Sequence, residues 1–144
     1  MDYIQKIIVS GILYTENGVM LAKRPMTKKI APGKYHLPGG HVEFGEVPED
    51  ALEREFQEEF SLPIKIEKAV RIFSYNRDDV HTIGITYLVI PFHNLPEKIS
   101  FNKEDTEELV WVKDESELKN FFPEDDHDYK TLLEFFQNES FRKN

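Results

Sequence analysis

The chain has 144 residues, 40% apolar and 31% charged, the balance of a soluble globular protein with room for one ordinary domain over residues 1–144 and none for a second. It has no cysteine, which excludes disulfides, thiolate nucleophiles and cysteine-based zinc sites and leads us to expect a cytoplasmic location. Its net charge of −9 opposes broad binding to nucleic-acid backbones and anionic lipid, so a phosphate-bearing ligand would need a cation, a divalent metal being the obvious one, to offset the repulsion.

Ile4 to Tyr14 and Val19 to Arg24 read as two strands, joined through Thr15-Glu16-Asn17-Gly18, whose Asn-Gly pair suits a hairpin that needs positive φ. The apolar run Ile7–Tyr14 is far shorter than the ~20 residues that span a bilayer and is read as a buried strand. A polar loop, Pro25 to Lys34, leads to an extended piece, Tyr35 to Leu37, and then to Pro38-Gly39-Gly40, read as a turn where backbone can approach another group closely. Pro48, followed by Glu49 and Asp50, predicts a helix from Pro48 to Phe60, with Pro63 helping to end it. Ile64 to Ile66, Val70 to Tyr75 and His81 to Pro91 read as strands, with the turn Asn76-Arg77-Asp78-Asp79 between the last two. A long acidic loop, Asn94 to Glu108, precedes a short strand, Val110 to Val112. From Asp128 to Ser140, Tyr129, Leu132, Leu133 and Phe136 fall at i, i+3, i+4 and i+7, the pattern of an amphipathic helix laid on the core.

The chemistry concentrates in Gly40-His41-Val42-Glu43-Phe44-Gly45-Glu46 and Arg54-Glu55-Phe56-Gln57-Glu58-Glu59-Phe60-Ser61-Leu62. On a helix Glu55, Glu58 and Glu59 share one face, within an arc of roughly 100°, beside an apolar stripe of Leu52, Phe56 and Phe60. Like charges at that spacing disfavour a helix by a few tenths of a kcal/mol per pair, and a cation reverses the sign. Magnesium accepts one or two carboxylates together with waters and phosphate oxygens, and manganese accepts the same oxygen-rich site. Taken alone, the three glutamates would read as a solvated helix face.

The full arrangement resembles the box of the Nudix hydrolases, G-x5-E-x7-R-E-U-x-E-E-x-G-U, through Gly40, Glu46, Arg54, Glu55, Phe56, Glu58, Glu59 and Leu62. Ser61 departs from it, standing where the box has its second glycine; that glycine serves the turn after the helix and supplies no metal ligand. The likeness extends through Leu37-Pro38-Gly39-Gly40-His41 and the strand end Leu21–Arg24, so it covers most of the chain. It implies an α/β fold, the family's α/β/α sandwich, with a mixed sheet between the box helix and a C-terminal helix.

The same resemblance implies a role for each matching residue. Glu55, Glu58 and Glu59 would hold Mg2+ or Mn2+, with the Gly39 carbonyl as a further ligand. Arg54 would orient the box acids, Glu46 among them. One acid of the loop before the last strand would join them; Glu104, Asp105, Glu107 and Glu108 are the candidates and Glu107 the preferred one. Arg24, Lys34, Gly40 and His41 would meet the substrate, with Lys23 nearby. The implied reaction is hydrolysis of a nucleoside diphosphate linked to another group, foremost a nucleoside triphosphate, modified ones included, giving a nucleoside monophosphate and pyrophosphate. The partner is thus a small nucleotide, with neither nucleic acid nor membrane, on a monomer or homodimer.

Other readings have less behind them. P-loop and nucleophile-elbow motifs are absent. His36 and His41 lack the spacing of a helical zinc pair. The isopentenyl diphosphate isomerase branch is expected to use a cysteine. The ADP-ribose branch is expected to carry a proline about 16 residues after the box and the NADH branch its own downstream run, so pyrophosphatases of these kinds or of nucleotide sugars rank as alternatives. A non-catalytic nucleotide sensor would be expected to have lost box acids, and a purely structural acidic adaptor would leave the Gly-Gly turn and the arginine unexplained.

Overall fold

The computed structural model describes residues 2–142. Its strands are β1 (Ile4–Thr15), β2 (Gly18–Lys23), β3 (Tyr35–His36), β4 (Gly39–His41), β5 (Ile64–Arg77), β6 (Val80–Pro91) and β7 (Glu108–Val112). The helices are α1 (Pro48–Phe60), α2 (His127–Gln137) and the short α3 (Glu139–Arg142), with a 3₁₀ turn at Glu115–Asn120 that the sequence pattern had not indicated. One mixed sheet runs β3-β2-β1-β6-β5, β4 adding to β1 and β7 to β2. Its parallel pairing joins β1 to β6, from Ile4 opposite Val80 to Leu13 opposite Val89.

Period-two alternation along β1 divides the apolar residues between two layers. Val9 and Leu13 meet Leu52, Phe56 and Phe60 of α1 on one face, while Ile12 meets Leu118, Leu132 and Phe135 on the other. This is the expected sandwich, with the mixed sheet between the box helix and the C-terminal helix. Each fully buried Phe or Leu contributes roughly 1.5–3 kcal/mol relative to exposure. Phe56 lies directly over Gly11, where an added Cβ would come within 2.9 Å of its ring.

Helix α1 starts and stops at the expected residues. Pro48 opens it and Glu49 and Asp50 occupy its first turn, favourable to the helix dipole. It ends on Ser61 at φ 53°, whose N–H donates to Gln57 O while the Leu62 N–H donates to Phe56 O. The left-handed backbone that the box glycine would adopt freely is thus imposed on a serine.

Four local readings are corrected. Gly39-Gly40-His41 is a strand rather than a turn, because Gly39 lies so close to β1 that a Cβ there would collide with the Val9 carbonyl. The close approach is real, but its partner is the sheet. Ile64 to Tyr75 is continuous strand, the expected interruption being irregularities in pairing at Ile66/Lys68 and Ala69/Arg71. In the first hairpin the positive φ falls on Gly18, with Glu16-Asn17 as the turn. On α2 the buried face is Tyr129, Thr131, Leu132 and Phe135, so Leu133 and Phe136 flank the core instead of filling it.

The segment leading to the glycines is tied to α2 by one carboxyl. Asp128 Oδ2 accepts the Leu37 N–H at 2.9 Å. Burial pushes this carboxyl up to about 6, against the pull of the Leu37 hydrogen bond. A carboxyl raised on folding favours the fold below its unfolded value near 4, and that contribution fades as pH rises through about 6. The change is at most about 3 kcal/mol, less the share screened at the residue's solvent-exposed edge. Urea titrations should therefore show Asp128→Asn gaining on the wild type between pH 4 and 7; a difference that stays constant with pH would contradict the assignment.

Candidate active site

The box loop and α1 converge on a single guanidinium. Arg54 donates from Nε to Glu46 Oε2 at 2.8 Å and from Nη2 to Glu46 Oε1 at 3.0 Å, a two-pronged pairing that fixes the plane of the carboxylate. Its Nη2 also donates to the His41 carbonyl at 3.0 Å, and its Nη1 to Glu55 Oε1 at 3.1 Å and Glu58 Oε2 at 3.3 Å. The Arg54 pairing draws the Glu46 carboxyl down to about 2, helped by the Glu43 N–H that donates to Glu46 Oε1. Glu46 is therefore an ionised anchor for the arginine.

Glu55 and Glu59 differ from Glu46. Burial raises both carboxyls, and neighbouring carboxylates raise them further, Glu58 and Glu46 acting on Glu55 and Asp105 and Glu55 on Glu59. Gly40 makes the Glu55 position possible, because a Cβ there would overlap the Glu55 carboxylate. Glu55 is 24% exposed and Glu58 62%, so Glu58 stands at the outer rim of the group.

Glu59 is held from the far side. Thr106 Oγ1 donates to Glu59 Oε1 at 2.7 Å. Sequence reasoning looked among the acids of this loop and missed the threonine. The acids have partners of their own: Glu107 pairs with Lys23 at 3.0 Å, Asp105 with Lys28 at 3.2 Å, and Glu108 accepts from the Tyr35 hydroxyl at 2.7 Å. A buried hydroxyl between acids was the available signal, and it is faint.

The expected substrate contacts are dispersed. Arg24 donates from Nε to the Ile30 carbonyl at 2.9 Å, and Lys34 pairs at 2.8 Å with Asp126, the N-cap of α2. His41 joins the network through its carbonyl while its side chain faces outward. His36 is half-buried, with Nδ1 2.9 Å from the Leu37 carbonyl and a buried Nε2 without a protein partner. Across α2, the His127 ring stacks on Phe73 and Tyr75 at centroid distances of 4.6 and 5.4 Å, and its buried Nδ1 is also unsatisfied.

Among the described residues no three His, Cys, Asp or Glu side chains are gathered into a ready metal cage. Carboxylates without a cation repel one another, and here Arg54 engages Glu55 and Glu58 while Thr106 engages Glu59. The donor set nevertheless fits a hard divalent ion. Its candidate side-chain donors are carboxylate oxygens, Gly40 leaves Glu55 its space, and Thr106 hydrogen-bonds Glu59.

The family profile of the NUDIX domain matches residues 5–136. The chain belongs to the NUDIX family. Its coarse chemistry follows from that membership: it is a pyrophosphohydrolase acting on phosphorus-containing acid anhydrides. The chain is 28% identical over 120 residues to the nucleoside triphosphatase NudI of Enterobacter sp. (strain 638), covering 78% of this chain and 84% of that one. NudI of Klebsiella pneumoniae (strain 342) is 30% identical over 125 residues, 81% of this chain and 87% of the relative. In fold the chain is similar to the MutT protein of Methanosarcina mazei Go1, with a TM-score of 0.77 at 18% identity over 97% of this chain and 98% of that one.

The geometry places Gly40 directly beside the Glu55 carboxylate. Gly40→Ala should displace the Glu55 carboxylate, which a flexible side chain allows at small cost to the fold. Hydrolysis should fall by at least ~10-fold while the unfolding midpoint stays within a few degrees. Activity at the wild-type level in a folded Gly40→Ala protein would show that Glu55 need not occupy this space.

Proposed function

We propose that this NUDIX protein hydrolyses nucleoside triphosphates, modified ones included, to nucleoside monophosphate and pyrophosphate with Mg2+ or Mn2+. The observation that carries the reading is the excess of carboxylates over cations around one helical turn. Glu46, Glu55 and Glu58 crowd Arg54, and Glu59 stands beside them. Such a site repels a polyphosphate unless a divalent ion intervenes. The names of the NudI relatives support the triphosphate as the first substrate to test.

Glu55, Glu58 and Glu59 would hold the ion, with the Gly39 carbonyl as a further donor. The chemistry that a bound ion supplies is neutralisation of the diphosphate oxygens and a lowered pKa for the attacking water. Arg54 would orient Glu55 and Glu58 through its hydrogen bonds, and Glu46 keeps Arg54 in place. A bond forms from water oxygen to phosphorus as the anhydride P–O bond breaks, and the pyrophosphate leaves with no enzyme-bound phosphoryl group.

A panel of nucleoside triphosphates, ADP-ribose and nucleotide sugars, assayed with Mg2+ or Mn2+, tests the proposal. Release of pyrophosphate from triphosphates should dominate, and Glu58→Gln should lower it by on the order of 100-fold. Nucleotide binding without turnover, equal in both proteins, would instead support a sensor.

A further inference from the structure

We propose that Thr106 is a positioning residue for Glu59, its hydroxyl fixing the carboxylate in the orientation from which it meets a divalent ion. The inference rests on the reading that Glu59 is a ligand. It is carried by the 2.7 Å bond from Thr106 Oγ1 to Glu59 Oε1, made across 47 positions of sequence by a residue that is 2% exposed.

A glutamate on a helix has three side-chain torsions and, close to Asp105 and Glu55, an electrostatic reason to swing toward water. The threonine hydroxyl removes that freedom. It sits on a preassembled turn. Thr106 N–H and Asp105 N–H donate to Asn102 O at 2.9 and 3.1 Å, and Glu104 N–H donates to Asn102 Oδ1 at 3.0 Å. The turn is anchored at two further points, by the Glu107 N–H to Lys23 O at 2.8 Å and by the Lys28–Asp105 ion pair at 3.2 Å. Threonine therefore reaches Glu59 from a rigid base.

The chemistry of the contact explains why an uncharged residue serves here. A carboxylate at position 106 would add repulsion against Glu59, whereas a lysine would neutralise the ligand and compete with the ion. A hydroxyl donates one hydrogen bond to one oxygen and leaves the remaining lone pairs for coordination.

Titration calorimetry with Mn2+ alone, without nucleotide, reads the effect on the protein as it stands. Thr106→Val should weaken Mn2+ binding about 10-fold, and Thr106→Ser, which keeps the hydroxyl, should stay within about 2-fold of the wild type. Thr106→Ala repeats the deletion should the valine variant fail to fold. In a double-mutant cycle, Thr106→Val should add nothing to Glu59→Gln, an interaction that a general packing defect would not produce. Wild-type affinity in Thr106→Val and Thr106→Ala, with Glu59→Gln impaired, overturns the role of Thr106 alone. Serine as weak as valine overturns it in favour of packing. Unchanged binding in Glu59→Gln overturns the ligand reading on which the inference stands.

Discussion

The site depends on one guanidinium holding carboxylates that would otherwise repel one another. Arg54 is planar, permanently charged and supplied with donors at fixed angles, so it can grip Glu46 with two nitrogens and still reach Glu55, Glu58 and the His41 carbonyl. A lysine offers a point charge with no such fork. The cluster still carries more negative charge than Arg54 can neutralise, and that residue of charge is the feature a divalent ion and a polyphosphate together would satisfy. Stability and chemistry are thus linked at one side chain: the interaction that lets the helix tolerate its acids also leaves them short of one more cation.

The fold brings its pieces to this arginine by backbone geometry as much as by side chains. Gly39 lets β4 lie against β1, which sets the His41 carbonyl within reach of Arg54, and Gly40 clears the space that Glu55 fills. Phe56, one residue beyond Glu55, is seated on Gly11 of β1, so the acidic and apolar faces of α1 are fixed by the same docking. The loop before β7 closes the far side through Thr106. Two glycines, one aromatic residue and one hydroxyl thus determine where the charges stand.

Local rules made much of this legible in the sequence. The limits of α1 and its acidic face follow from helix signals and spacing that involve few long-range contacts, whereas the Arg54–Glu46 pairing and the two-layer arrangement were implied by the resemblance to the Nudix box. The errors lie where distant chain decides the outcome. Gly39-Gly40 reads as a turn because its pairing partner is some thirty residues away on β1, and only that partner makes it a strand. Phe135 replaces Phe136 in the core because the sheet, rather than the periodicity of α2, selects the buried face. Thr106 was hidden among charged neighbours, since a threonine carries no spacing signal and its partner lies on another element. Lys34, expected to meet the substrate, pairs with Asp126, which is distant in sequence and carries no spacing signal.

The central claim is tested most directly by the anomalous scattering of Mn2+ in a crystal of the protein. The account predicts an ion coordinated by Glu55, Glu58 and Glu59, with carboxylate oxygens about 2.1 Å away, the distance that small hard octahedral cations keep. It also predicts that Glu46 remains locked on Arg54. An ion bound elsewhere, with these carboxylates directed into bulk solvent at saturating Mn2+, would contradict it.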